Sequence, residues 1–387
     1  MSLTKTSKKR LDKVDEIAIH HGFELAQVPT IYVREDHFLA PREKEYVVKI
    51  FNKSLNNSRS KRLEPRMFYY DQQVLVNKNK SFSARNYKNI GLDIFGVPSG
   101  IAEVMIINTA TKILREEGYK DIFIDINCTG DKNSISKFTD ELINYYKKNS
   151  DILKDGCGGN LNRKEVSILN CGHENCRSLK ENAPRPINFL SEHSQQHLKE
   201  VLEYLEEMDV PYRINDDLIS DNNHYSKTIF EIKSEQRESG SKEIKEIILA
   251  RGGRYDEVAN KVAKKRNLVA VGVSLQFKKN GTNKAYSDTI QKPKIFLIQF
   301  GFRAKLKSLE IVDILREQQI TVYKDLHRNK LTDQFYIAKK MGIPYILIIG
   351  QKEAMEDEVI IKNVVDASQD VVKIDKISQY FKKIKFV

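Results

Sequence analysis

Three sets of side chains in this sequence are of types that could do chemistry. Gly252, Gly253, Arg254, Tyr255 and Asp256 form a run able to cradle a small polar ligand. The glycines let backbone approach closely, and the guanidinium suits an anion. The same run also reads as a turn entering a helix with an acidic first turn. Cys157, Cys171, His173 and Cys176 are thiols and an imidazole of the kind that hold zinc. They contain no Cys-x2-Cys pair, so the expectation is buried or incidental thiols and no metal. Arg303, Lys305 and Lys307 open one C-terminal helix, and His327, Arg328 and Lys330 precede another. Cations so placed can contact phosphates. Phe335 and Tyr336 divide between core and surface, which leaves one ring to stack on a base. The remaining histidines are scattered, and no Ser-His-Asp arrangement can be argued from spacing.

The chain must be large enough to position such groups, and 387 residues suits two or three domains. Hydrophobic residues at 40% and charged residues at 30% mark a globular protein rather than a disordered or membrane one. No apolar run reaches the roughly 18 residues of a membrane span, and no signal peptide follows the basic start, so a cytoplasmic protein is expected. Four cysteines are too few for a disulfide framework. The net charge of +12 makes RNA a reasonable partner, since phosphate contacts release counterions. From Pro293 onward there are 17 Lys+Arg against 12 Asp+Glu, so the C-terminal part shares the excess. Solvated lysine-rich helix faces would look the same.

Hydrophobic periodicity places the elements. Residues 11 to 21 repeat apolar positions at helical spacing and are followed by an extended stretch. Between Arg66 and Gly96, MFYYDQQVLV and YKNIGLDIFG read as an antiparallel hairpin with the polar tip NKNKSFSAR. Ile101 to Tyr119 is a helix with a buried strand after it. Two amphipathic helices, a strand, a polar loop, a second strand, a Gly turn and the helix DEVANKVAKK complete a mixed, largely antiparallel region. The predicted boundaries are a domain over 1–280 with an insertion at about 132–210, a linker over 281–292 and a domain over 293–387. In the last domain strands and helices alternate, as in a small α/β unit with a mostly parallel sheet.

Several separated stretches resemble the histidyl-tRNA synthetase family, in the family's order. HHGFELAQVP is similar to its first helix and strand, and YYDQQVLV through NIGLDIFG to the hairpin called motif 2. IDINCTGD, SILNCGHENC, YSKTIFEI and GGRYDEVA follow in turn. RAKLKSLEIVDILREQQITVYKDL and LTDQFYIAKKMGIPYILIIG are similar to its anticodon-binding domain. The resemblance implies a class II synthetase-like antiparallel sheet domain with helices, followed by a smaller α/β anticodon-binding-like domain.

It also implies where chemistry should be. A class II synthetase stabilises charge growing on the α-phosphate of ATP with arginines. Val76 falls at the motif 2 arginine position, with Lys78 where an acid usually sits. Ser220 falls at the arginine of the first histidine-specific motif, and Lys279 at that of motif 3, where lysine keeps the charge without the fork. LAPREKE resembles the loop whose glutamate and threonine hold histidine, with Arg42 and Lys44 in those places, two charges that would repel an amino group. Arg85, Asn89, Asp93, Glu103, Tyr225, Gly252, Gly253, Arg254 and Tyr255 remain as pocket residues, and Arg85 could substitute from the loop. Losing one transition-state donor costs about 10²- to 10³-fold.

The expectation is a tRNA- or RNA-binding relative with eroded aminoacylation. The alternatives are a divergent active histidine-tRNA ligase using ATP and Mg, and a histidine-sensing regulatory subunit of ATP phosphoribosyltransferase, which generally lacks the C-terminal domain present here. Histidine is a possible ligand. The region between Thr30 and Leu39 is shorter than the family's motif 1, which puts a homodimer in question.

Overall fold

The computed structural model describes residues 12–29, 31–33, 42–56, 65–71, 74–76, 87–153, 169, 171, 173–219, 225–237, 244–264, 267–278, 293–325 and 330–384. Arg85, Ser220, Lys279, His327, Arg328, Lys78 and Cys157 lie outside them, as does the span 281–292. Among the described residues no helix is long and apolar enough to cross a membrane.

The first described element is helix α1 (Lys13–His20), whose start is set by a reciprocal cap. Asp12 accepts from the Asp15 amide at 3.0 Å, and Asp15 accepts from the Asp12 amide at 2.9 Å. Strands β1 (Glu24–Leu25) and β2 (Ile31–Val33) follow, then helix α2 (Arg42–Asn56). α2 corrects the sequence reading at 42–45, which fell in the stretch likened to a substrate loop, while 39–41 lie outside the described residues. Val47, Val48 and Phe51 give the segment an apolar face at helical spacing, and it buries that face beside Phe95, Ala259 and Ala263. The hairpin forms from β3 (Arg66–Asp71) and β5 (Tyr87–Phe95), paired antiparallel from Arg66 opposite Phe95 to Asp71 opposite Ile90. The tail of its first arm, β4 (Val74–Val76), leaves the hairpin and pairs parallel with β2.

Helix α3 (Ile101–Glu116) is buried on nearly every side, as expected of a helix apolar around most of its circumference. After it come β6 (Ile122–Cys128), α4 (Lys132–Lys148), α5 (Glu174–Glu181), α6 (Glu192–Glu207) and β7 (Tyr212–Ile214). Strands β8 (Thr228–Arg237) and β9 (Ile244–Arg254), helix α7 (Asp256–Ala263) and strand β10 (Ala270–Lys278) complete an eight-stranded sheet of order β1-β3-β5-β10-β9-β8-β6-β7. Gly252 and Gly253 lie within β9, where the sequence reading had a turn. Both are opposed by partners on two sides, Gly252 by Phe230 and Val273 and Gly253 by Ile229 and Gly272, and that pairing holds them extended.

One face of this sheet is apolar. Ile90, Leu92 and Ile94 alternate into the same cluster as Val271, Val273 and Leu275, against α3. That cluster also contains Leu306 and Leu309 of helix α8 (Phe302–Glu317). α8 belongs to a second, five-stranded sheet domain, in which β11 (Ile295–Gln299) lies between β12 (Val322–Lys324) and β13 (Tyr345–Ile349). Helix α9 (Leu331–Met341) precedes β13, and helix α10 (Gln351–Met355), β14 (Glu358–Asn363), β15 (Gln369–Lys373) and helix α11 (Ile377–Lys382) follow it. β11 pairs parallel with both neighbours, whereas β13-β14 and β14-β15 are antiparallel. The sheet is therefore mixed rather than mostly parallel. A short turn joins β14 to β15, so no crossover helix is available to make that pair parallel.

Candidate functional site

The other face of the large sheet is polar, and strand register arranges it in rows. One row runs from Arg213 through Asp125, Glu231, Arg251, Ser274 and Gly91 to Tyr70, each opposite the next on an adjacent strand. The next row contains Gly253, Gly272 and Asp93. Gly91, Gly253 and Gly272 thus form a floor without side chains. A Cβ at Gly91 would fall inside the Tyr70 ring, 2.0 Å from Cζ. One at Gly253 would come 2.7 Å from the Tyr225 ring, and one at Gly272 would strike Asp93 Oδ1 at 1.8 Å. Aromatic rings and an ion pair occupy the space the glycines leave.

That ion pair is Lys44 with Asp93. The Lys44 ammonium donates to Asp93 Oδ1 at 2.9 Å, Tyr255 donates to the same oxygen at 2.7 Å, and Tyr70 donates to Oδ2 at 2.8 Å. Asp93 is fully buried and Lys44 nearly so. Burial pushes the Asp93 carboxyl up, and Lys44 with its hydrogen-bonding neighbours pulls against that rise. The ammonium also sits 5.6 Å from the centre of the Tyr255 ring. Lys44 is therefore not an uncompensated charge repelling a ligand, as sequence implied, but one half of a satisfied pair that fills the floor. No sequence signal linked Lys44 to Asp93, 49 residues away.

Farther along the face the charges are joined in series. Arg251 Nε lies 2.6 Å from Glu231, and Lys233 bridges Glu231 at 3.3 Å and Asp125 at 2.6 Å. Arg213 holds Asp125 and Glu246 together. Burial would raise Asp125, but the Arg213 and Lys233 bonds outweigh it and hold the carboxyl below its usual value. Each of these three carboxylates, Asp125, Glu231 and Glu246, is committed to a cation. The set does not fit a magnesium ion, which needs carboxylates able to face it, so no chemical step is derived through that metal. Arg251, ion-paired with Glu231 and 47% exposed, adjoins the glycine floor in this row.

The remaining sequence-predicted pocket residues divide. Asn89 lies on the polar face, accepting from Gln276 at 3.0 Å, and Tyr225 lies over Gly253. Glu103 and Arg254 are on the opposite side of the sheet. Arg254 donates to Glu103 from Nε at 2.9 Å and Nη2 at 2.6 Å, and to the carbonyl of Val97 at 3.2 Å. His197 of α6 closes the triad at 2.6 Å from Glu103. Neither Glu103 nor Arg254 has exposed surface, so both fasten α3 and α6 to β9 and do not face a ligand. Burial alone would raise Glu103, but Arg254 and His197 bring it down to about 2. Val76 is in β4.

The predicted RNA contacts divide as well. Arg303 is 3.8 Å from Glu207, and Lys307 bonds Glu310 at 3.1 Å and Asp357 at 2.7 Å. Burial lowers Lys305. This first turn of α8 faces the larger domain, where Phe302 stacks on Tyr204 with centroids 4.2 Å apart. Lys330 is exposed at the start of α9. On that helix Tyr336 is 69% exposed, with Lys339 and Lys340 on the same side at three- and four-residue spacing, whereas Phe335 is partly buried. α9 thus carries one open ring beside two exposed cations.

Residues 45–279 match the family model described as Histidyl-tRNA synthetase, and residues 294–384 the one described as Anticodon binding domain. The histidine–tRNA ligase of Caldicellulosiruptor bescii is 27% identical over 327 residues, covering 82% of this chain and 75% of that protein. That of Aquifex aeolicus is 28% identical over 313 residues, covering 81% and 75%. The structure of apo S. aureus histidyl-tRNA synthetase aligns over 96% of this chain and 94% of that one, at 19% identity and a TM-score of 0.50, a likeness of fold.

Proposed function

The chain belongs to the histidyl-tRNA synthetase family, and from that premise we propose that it binds tRNA through its C-terminal domain while its own Lys44 occupies the pocket where the family holds histidine. The observation that carries this reading is the Lys44–Asp93 pair on the glycine floor. A primary ammonium already sits on the buried carboxylate, and two tyrosine hydroxyls complete its hydrogen bonding. A histidine ammonium entering there would have to displace a tethered one at high effective concentration. With Val76 at the motif 2 position, one phosphate-binding guanidinium is also missing from the family's pattern. Tyr336, Lys339 and Lys340 on α9 support the RNA half of the reading.

Histidine-dependent exchange of pyrophosphate into ATP tests it, together with retention of tRNA on a filter at low salt. The expected result is tRNA retention without exchange. A second reading, an active histidine-tRNA ligase, is favoured by Arg251, a half-exposed guanidinium beside the floor, and by the activity named for both relatives. Clear exchange would establish that reading and end the first. The regulatory-subunit reading is weakest, because the C-terminal domain it dispenses with is present here.

A further inference from the structure

Between α4 and α6 the chain builds a small unit whose buried core is Phe138, Leu142, Tyr146, Leu169, Leu179 and Ala183. Cys171, His173 and Cys176 converge at its edge. Their ligand atoms all lie within 4.8 Å of one another, and Cys171 Sγ is 3.1 Å from His173 Nδ1. His173 caps α5 and Cys176 lies in its first turn, so the helix presents both ligands from one end, the end that favours a thiolate's negative charge. Cys171 and Cys176 are thiols rather than partners in a disulfide.

A second observation concerns Tyr146. Its side chain is fully buried and its hydroxyl has no hydrogen-bond partner among the described residues. Tyr146 belongs to the core of this same unit. An orphaned buried donor is costly.

We propose that Cys171, His173 and Cys176 bind one zinc ion. Two thiolates and an imidazole are the soft and borderline ligands that select zinc over magnesium or calcium. Binding displaces one proton from each thiol, leaves both sulfurs as thiolates on the metal, and leaves one tetrahedral position for a further ligand. The ion would join the chain entering α5 to the helix itself and close the edge of the small core. This departs from the expectation drawn from spacing, which lacked a Cys-x2-Cys pair. The gathering depends on a helix start that brings positions 171, 173 and 176 to one point.

The test is metal content of the full chain, purified under reducing conditions, loaded with zinc and dialysed against metal-free buffer. The expected result is one zinc per chain in the parent and none in Cys171→Ser/Cys176→Ser. His173 is exposed, so His173→Ala should fold, as circular dichroism would verify, and should also lose the ion. Cobalt in place of zinc should give a thiolate-to-cobalt charge-transfer band that Cys176→Ser reduces by about half, since one of two thiolates remains. No zinc in the parent, no such band, or a full equivalent retained by the double variant would each overturn the site.

Discussion

Arg254 of β9 grips both oxygens of Glu103 of α3, at 2.9 and 2.6 Å, with neither side chain exposed. Breaking a buried pair by removing one partner leaves an uncompensated charge and costs about 3–5 kcal/mol. Glu103→Gln should therefore lower unfolding stability by that amount, measured by urea denaturation. A decrease below about 1 kcal/mol, the level of an exposed pair, would show that the triad with His197 does not hold α3 and α6 to the sheet.

Lys44→Ala should leave a cavity lined by an ionisable acid and two tyrosine hydroxyls. The variant is expected to melt at lower temperature than the parent and to recover part of that difference when ethylammonium is added, because a small ammonium can take the vacated place. The parent, already filled, should not respond. Equal response in both would remove the basis for regarding Lys44 as the occupant of the pocket.

Acid should weaken the packing between the two domains. His21 of the α1 end is fully buried, and burial with the nearby Lys112 and Lys324 charges lowers it well below 6.5. His20 is lowered by burial to about 4. Both fold as neutral rings and the unfolded chain takes up the protons first, so stability is fully present above about pH 6.5 and falls as pH drops below it. At pH 5 the decrease is about 2 kcal/mol per histidine. Melting curves from pH 7.5 to 5 should show this slope, and His21→Gln should flatten it.

Lys324 is half-buried at the same junction, with its ammonium out of solvent and lacking a hydrogen-bond partner among the described residues, and burial followed by Lys112 lowers it to about 7. Replacing a buried ion with an apolar side chain of similar volume commonly stabilises by about 1–4 kcal/mol. Lys324→Met is expected to raise the melting temperature at pH 7. A fall would mean that the ammonium has a stabilising role.

On the RNA side, Tyr336→Ala should weaken tRNA binding by about 1–3 kcal/mol if the ring stacks on a base. Lys339→Ala with Lys340→Ala should flatten the dependence of log affinity on log salt by about 0.7–0.9 for each phosphate no longer neutralised. Arg303→Ala and Lys307→Ala, both at residues engaged with carboxylates, should change little. Filter binding across a salt series separates these outcomes.

Much of the fold was legible in the sequence because α3, α6, α8, β11 and β13 keep strong periodicity over their whole lengths. α2 was not, since the stretch likened to a substrate loop runs into its first turn. At the site the difficulty was parity. Adjacent strand residues point to opposite faces, so Gly253 floors the polar side while Arg254 passes through to α3. A motif read as a unit conceals that division. The Lys44–Asp93 pair lay beyond reach for another reason, because it depends on a helix and a central strand meeting in space.

Leu306 and Leu309 of α8 are part of the same buried cluster as the strands and α3 of the larger sheet, and Phe302 stacks on Tyr204 beside them. The anticodon-binding-like domain is thus a wall of its neighbour's interior. A chain cut before β11 would bare an oily strip along α1 and α3, and heat or urea should meet one cooperative transition where the two sheets suggest a pair.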